Sequence, residues 1–189
     1  MKRHGIKLGL LALLLAFGTA SFAQGPVRKL EFEIGLGPST VMAKGERYGS
    51  ISLFTELRGN LQHSHWDVGM QIGTGGQYTQ VDYDVEIGGD PRQYRREVVL
   101  YILPVADYNW WRGEKVSCFV GGGTGMYISG SNAKTYVGVT IMPRAGVEFF
   151  NRLRLTTDYK WNIQGIYNYW DLGIGFVVGG GKKKTIKCK

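Results

Sequence analysis

Cysteine is almost absent: Cys118 and Cys188 are the only two in 189 residues. A disulfide scaffold uses several pairs, so Cys118, inside an apolar stretch, is expected to be structural and unpaired. Histidine is nearly as scarce, with three residues, His4, His63 and His65. That leaves a Ser/His/acid enzyme few ways to exist. Long apolar runs are missing too. Nothing after the first 23 residues approaches the ~20 consecutive apolar positions of a membrane-crossing helix. No long stretch repeats apolar residues at helical spacing.

The start of the chain reads as an export signal. Lys2, Arg3 and Lys7 precede the apolar run Leu8 to Phe17, and Ser21-Phe22-Ala23 supplies small residues at a cleavage site. Residues 1–23 are therefore expected to be a cleaved signal peptide. Residues 24–179 are expected to form one domain, and 180–189 a lysine-rich tail. The net charge of +8 dissolves on inspection. The leader holds three of the 23 bases and the tail five (Lys182, Lys183, Lys184, Lys187, Lys189); removing those eight leaves 15 bases against 15 acids. A nucleic-acid groove would carry its excess on the folded body, so no nucleic-acid partner is expected.

What the chain does have is glycine (29 residues), aromatics (13%) and recurrent period-two patterning. Leu30, Phe32, Ile34 and Leu36 alternate with Glu31, Glu33 and Gly35. Ile51, Leu53, Thr55 and Leu57 alternate with Ser52, Phe54, Glu56 and Arg58. Trp66, Val68, Met70 and Ile72 alternate with Asp67, Gly69, Gln71 and Gly73. Similar runs span 98–110, 137–149, 153–161 and 170–178, and a glycine-rich one of ambiguous facing spans 116–128. Eight strands result, most near the ~10 residues that a tilted strand needs to cross a bilayer.

Alternation also occurs in soluble sheets, and three features favour a membrane. Charge runs deep into the polar face, at Glu56, Arg58, Arg144, Glu148, Arg154, Asp158 and Lys160. Short connections (about 60–64, 111–115 and 150–152) alternate with longer ones (38–50, 76–96, 130–136, 163–168). Aromatics gather at strand ends: Trp66, Trp110, Trp111, Phe149, Phe150 and Phe176 at one rim, and Tyr48, Tyr127, Tyr136, Trp161, Tyr167 and Tyr169 at the other.

With its leader, its eight alternating strands and the closing Trp170-x-Leu172-x-Ile174-x-Phe176, the chain resembles the small outer-membrane β-barrels of the OmpX type and the OmpA transmembrane domain. Gly173-Ile174-Gly175-Phe176 and Gly121-Gly122-Gly123-Thr124-Gly125 are similar to stretches of the broad porin family. The resemblance covers nearly all of 27–179. It implies an all-β fold, an eight-stranded antiparallel up-and-down transmembrane β-barrel in the cell outer membrane. It also implies contact with outer-membrane lipid and with the β-barrel assembly machinery. Such barrels often end on an aromatic residue that the machinery reads; here the corresponding residue is Phe176, inside the chain.

A barrel of eight strands is filled by its own side chains. The mixed charges predict a plugged lumen, most simply a monomer with a structural, adhesion or envelope-interaction role. Inward glycines (Gly35, Gly69, Gly73) leave a narrow pore for small solutes as one alternative. A soluble, lipocalin-like periplasmic barrel, with Leu30, Phe32 and Ile34 facing inward, is another.

The segment 78–97 is the best interaction candidate. Asp82, Asp84, Glu86 and Asp90 precede Arg92, Arg95 and Arg96 around the turn Gly88-Gly89-Asp90-Pro91. Pairing Ile87 with Arg92 sets Asp84 opposite Arg95 and Glu86 opposite Gln93, in a hairpin above the membrane that meets an envelope or surface protein. A phase shift between Ile72 and Val81 predicts a bulge near Gly73–Gly76. The arginines oppose calcium binding there, and the spacing is not that of a calcium loop. His63, His65 and Asp67 share a strand parity that suits a metal, but the simpler reading, a hydrophilic periplasmic turn, is the one expected. The order His63-Ser64-His65 does not reproduce the His-x-Ser pair of lipid A deacylases. Gly121 to Gly125 lacks the Gly-Lys-Ser/Thr of a phosphate loop. No cofactor, metal or catalytic residue is expected.

Overall fold

Side chains that alternate between apolar and polar suit a strand with two different surroundings, and all eight predicted strands form in the computed structural model. It describes residues 28–43, 46–61, 64–82, 92–112, 114–130, 135–163, 165 and 167–179. The proposed leader and lysine tail lie outside them. The strands are β1 (Leu30–Ala43), β2 (Glu46–Asn60), β3 (Trp66–Asp82), β4 (Arg92–Trp110), β5 (Val116–Gly130), β6 (Thr135–Phe149), β7 (Leu153–Asn162) and β8 (Tyr167–Val178). Each pairs antiparallel with its neighbours, and β1 with β8 closes the barrel.

The facing is inverted relative to a water-soluble barrel. Ile34 is 59% exposed and Leu53 52%, whereas Glu33 is 1% and Arg58 0%. The pattern holds around the wall, with Val68, Leu100, Val139, Leu155 and Leu172 outside and Asp67, Asp107, Thr140, Arg154 and Asp171 inside. This excludes the lipocalin-like alternative, which needs Leu30, Phe32 and Ile34 within. An apolar outer wall around a charged core is stable only where the surroundings are hydrocarbon. The barrel also leaves no unpaired edge in that medium. In β5, ambiguous by sequence, Ser117, Phe119 and Tyr127 face inward and Val116, Val120 and Met126 outward.

The connections differ from expectation at one end. Turns at 61–65, 111–115 and 150–152 are short, as read, and share that end with the start of β1 and the end of β8. The last is closed by Arg152 N donating to Phe149 O (3.0 Å), with Phe150 and Asn151 both at positive φ. At the other end, the expected loop 38–50 is mostly strand: β1 and β2 stay paired from Pro38↔Ile51 to Ala43↔Glu46. β3 and β4 likewise pair out to Asp82↔Arg92. Beyond the apolar band nothing opposes a ladder that continues to satisfy backbone groups, so the strands extend.

That ladder also corrects the hairpin register. Pairing is unbroken from Trp66↔Tyr108 to Asp82↔Arg92, with no bulge at Gly73–Gly76. Arg95 stands opposite Thr79, not Asp84, and Gln93 opposite Val81, not Glu86. Ile87 therefore does not pair with Arg92. Asp84, Glu86 and Asp90 lie outside the described residues.

Candidate functional site: a plugged, charged lumen

Strand parity aims charged side chains from seven strands, all but β5, at the barrel axis. Arg144 on β6 spans the lumen. Its Nη1 and Nη2 donate to the two carboxylate oxygens of Glu56 on β2 (2.5 and 2.8 Å), and its Nε and Nη2 to those of Asp107 on β4 (2.8 and 2.7 Å). Asp107 also accepts from Arg154 Nη2. The Arg154 guanidinium lies 3.4 Å over the Phe119 ring and 3.8 Å from Glu33. Arg58, fully buried, sits 3.1 Å from Glu33, 3.5 Å from Glu31 and 3.7 Å from Glu56. Gln71 donates to Glu56 (3.2 Å). Paired fork-to-fork contacts of this kind fix geometry as well as charge.

Nearer the loop end, Lys160 donates to Asp158 and to Asp171. Beyond it the lumen turns apolar: Val41, Val99, Leu103 and Met142 pack with Tyr101, Tyr127 and Tyr169. Tyr101 and Tyr169 meet edge to face at 5.8 Å. Asn162 donates to the Tyr101 hydroxyl (3.3 Å) and accepts from Thr140 (2.5 Å). Tyr127 and Tyr169 were expected in the outer aromatic girdle, and Tyr167 with them. Instead Tyr127 and Tyr169 point into the lumen and Tyr167 packs against their cluster. Tyr136 and Trp161 do face outward, and Tyr48 lies outside the described side chains. At the opposite rim Trp66, Trp111, Phe150 and Phe176 are exposed as expected.

Gly35 and Gly69 are sockets, not gaps, whereas a Cβ on Gly73 would make only ordinary contact, 3.4 Å from Leu53 O. A Cβ on Gly173 would stand 2.8 Å from the Phe54 ring, which also fills the space over Gly35. One on Gly69 would meet Leu57 O at 2.5 Å and Arg58 Cγ at 2.9 Å. Small and large inward residues thus interlock across strands.

Of the seven charges picked out by sequence, Glu56, Arg58, Arg144, Arg154, Asp158 and Lys160 join this network. Glu148 does not. It is buried at the turn end and makes no ion pair among the described residues, although Arg154 is its cross-strand neighbour. Sequence reasoning left out Glu31, Glu33, Asp107 and Asp171, whose parity already marked them as inward, and Asp67 with its partner Arg112. Arg112 lies in the turn after β4, where no alternation points to it. Its guanidinium donates to the carbonyls of Ser64 and His65 (both 3.1 Å) and sits 3.3 Å from Asp67. Burial pushes it below its ordinary pKa, and Asp67 pulls it back.

His65 and Asp67 do not converge. The His65 ring stacks on outward-facing Tyr108 at 5.1 Å, with Nδ1 2.9 Å from Asn109 O, whereas Asp67 accepts from Asn109 inside the lumen (2.8 Å). Ser64 Oγ accepts from Trp66 N (3.1 Å). His63 lies outside the described residues. Cys118 is a free thiol, half-buried on β5. Among the described residues no three His, Cys, Asp or Glu groups are placed to hold a metal ion.

No protein-family model matches the chain, and no curated protein does. Solved structures do. Neisserial surface protein A (NspA) superposes with a TM-score of 0.62 at 10% identity, over 81% of this chain and 98% of that one. Ail, the attachment invasion locus protein of Yersinia pestis, solved with the heparin analogue sucrose octasulfate, gives 0.49 at 15%, over 82% and 100%. The N-terminal β-barrel domain of Pseudomonas aeruginosa OprF gives 0.46 at 14%, over 82% and 100%. The fold is that of the small outer-membrane β-barrels, and the apolar outer wall suits a hydrocarbon surrounding.

Proposed function

We propose that this protein is a closed outer-membrane barrel that works at its external ends, in adhesion or in contacts with other envelope components, and neither conducts solutes nor catalyses a reaction. The observation that carries this reading is Arg144, clamped between Glu56 and Asp107 across the lumen. With Arg58, Arg154 and the tyrosine cluster behind it, the interior has no through path for a hydrated solute. Short turns mark the periplasmic side, and the longer extension marks the outside. The β3–β4 hairpin is the longest of these, since β3 pairs with β2 only as far as Gly76 and β4 with β5 only from Val98. Its backbone reaches beyond the wall, carrying Asp82, Arg92, Arg95 and Arg96. A surface protein or glycan met there fits a chain anchored by lipid contacts on every strand, inserted by the assembly machinery and working as a monomer.

Planar-bilayer recording of the folded protein tests the closed lumen. A silent membrane is expected, and steady channel currents would overturn the reading. Replacing Arg92, Arg95 and Arg96 by serine tests the hairpin. Surface attachment of cells bearing the variant should fall while the heat-dependent gel shift of the barrel stays; unchanged attachment would remove the hairpin from the function.

A further inference from the structure

We infer that the periplasmic mouth of the lumen holds a single hard divalent cation, of the calcium class, between Glu148 and Asp67. A small cavity of about 10 Å³ lies there, lined by Glu31, Asn60, Asp67, Asn109, Ser117 and Glu148 with Arg112 at its side. That is room for one water-sized occupant.

Two observations point to a ligand. Glu148 is more than nine-tenths buried, lines this cavity and has no ion pair or hydrogen bond from its side chain among the described residues. Asp67, 3% exposed, uses Oδ2 for Asn109 and Arg112, and its Oδ1 has no hydrogen-bond partner. The charge balance agrees. Among the described residues the interior buries eight carboxylates (Glu31, Glu33, Glu56, Asp67, Asp107, Glu148, Asp158, Asp171) against five cations (Arg58, Arg112, Arg144, Arg154, Lys160). Every one of those cations is already engaged: Arg144 by Glu56 and Asp107, Arg154 by Asp107, Arg58 by Glu31 and Glu33, Lys160 by Asp158 and Asp171, Arg112 by Asp67. Three carboxylates are thus in excess, and Glu148 is the one that shares none of these cations.

An unpaired buried carboxylate is costly. The surroundings offer oxygen and no soft donor: the amide oxygens of Asn60 and Asn109 and the hydroxyl of Ser117. Oxygen ligands with a few carboxylates suit a hard divalent ion, which completes its shell with water. Glu31 is taken up by Arg58 and Asn60, and among the described residues no three acidic groups are placed to hold a metal together, so the ion takes two carboxylates and neutral oxygens.

The test uses the folded protein in detergent micelles free of lipopolysaccharide, stripped with chelator and titrated with calcium. The temperature at which the gel shift is lost should rise saturably. Terbium should give emission through the rim tryptophans that calcium displaces. Glu148→Gln should weaken both by at least about tenfold, whereas Glu114→Gln, an exposed carboxylate at the same rim, should leave them unchanged. No calcium response in the native barrel, or an equal response in Glu148→Gln, overturns the site; Glu148 is then a protonated acid beside a trapped water. If Glu148→Gln does not fold, Ser117→Val decides, since it removes a neutral ligand and no charge: undiminished binding again overturns the proposal.

Discussion

The lumen wall and the lipid wall of this barrel are built from the same strands, one residue apart, and obey opposite rules. On β7, Leu155 faces hydrocarbon while its neighbours Arg154 and Thr156 are buried inside. Outside, the penalty attaches to any charge at all. Inside, charge is abundant, and the penalty attaches to a charge that loses its partner. A buried ion-pair network is therefore no simple index of stability. It makes each member dependent on the others, and it fills a tube that hydrophobic side chains on the other parity leave empty.

The largest effect should come from breaking the balance inside. Arg144→Leu takes the two-pronged partner from Glu56 and Asp107, leaving Glu56 only Gln71 and a more distant Arg58 and leaving Asp107 only Arg154, and removing one partner of a buried pair typically costs ~3–5 kcal/mol. Denaturant unfolding in lipid vesicles should show this loss. Adding Glu56→Gln and Asp107→Asn to the same chain should restore most of it. If the triple variant is no more stable than Arg144→Leu, the lumen depends on the arginine's shape and not on charge balance.

A charge on the outside should come next. Leu155 stands on the outer wall between Val147 and Ile174 in the adjacent strands. Leu155→Arg near the midplane should cost ~2–4 kcal/mol by the same unfolding measurement. Replacing its neighbour Thr156 by valine should cost less, because the inward position keeps its volume and meets no lipid. Equal costs, or the reverse order, would break the assignment of the two walls.

The same contrast explains which parts of the structure were legible in the sequence. Seven strands declared their facing because lipid and lumen demand different side chains at alternate positions. β5 did not, since Gly121, Gly122, Gly123 and Gly125 carry no side chain to show a preference. Parity also contained more than was taken from it. Tyr169 shares the phase of Asp171, and Tyr127 that of Phe119, yet aromatics near strand ends look like girdle residues, and composition at the rim outweighed phase. The hairpin register was missed for a different reason. Outside the membrane neither wall rule applies, so complementary charges at Asp84 and Arg95 looked decisive. The continuing β3–β4 ladder set the pairing instead. The cavity at Glu148 was not legible at all, because its lining comes from six strands and two turns that meet only when the barrel closes.

The smallest effect tests an exception to the outer rule. Trp170 Nε1 donates to Thr157 Oγ1 (3.0 Å) on the lipid-facing side, joining two polar groups on a wall that is mostly apolar. In hydrocarbon an unpaired N–H has no water to turn to, which suggests a strong bond. Measured side-chain hydrogen bonds in membranes nevertheless average only about 0.6 kcal/mol, because the unfolded chain finds partners too. A double-mutant cycle with Thr157→Val and Trp170→Phe should give a coupling of that order. A coupling near zero would mean that the indole reaches interfacial water and that this part of the wall lies at the membrane surface. A value several times larger would place the pair deep in the hydrocarbon, and the apolar band would then extend further toward the loop end of β7 and β8 than the girdle residues Tyr136 and Trp161 imply.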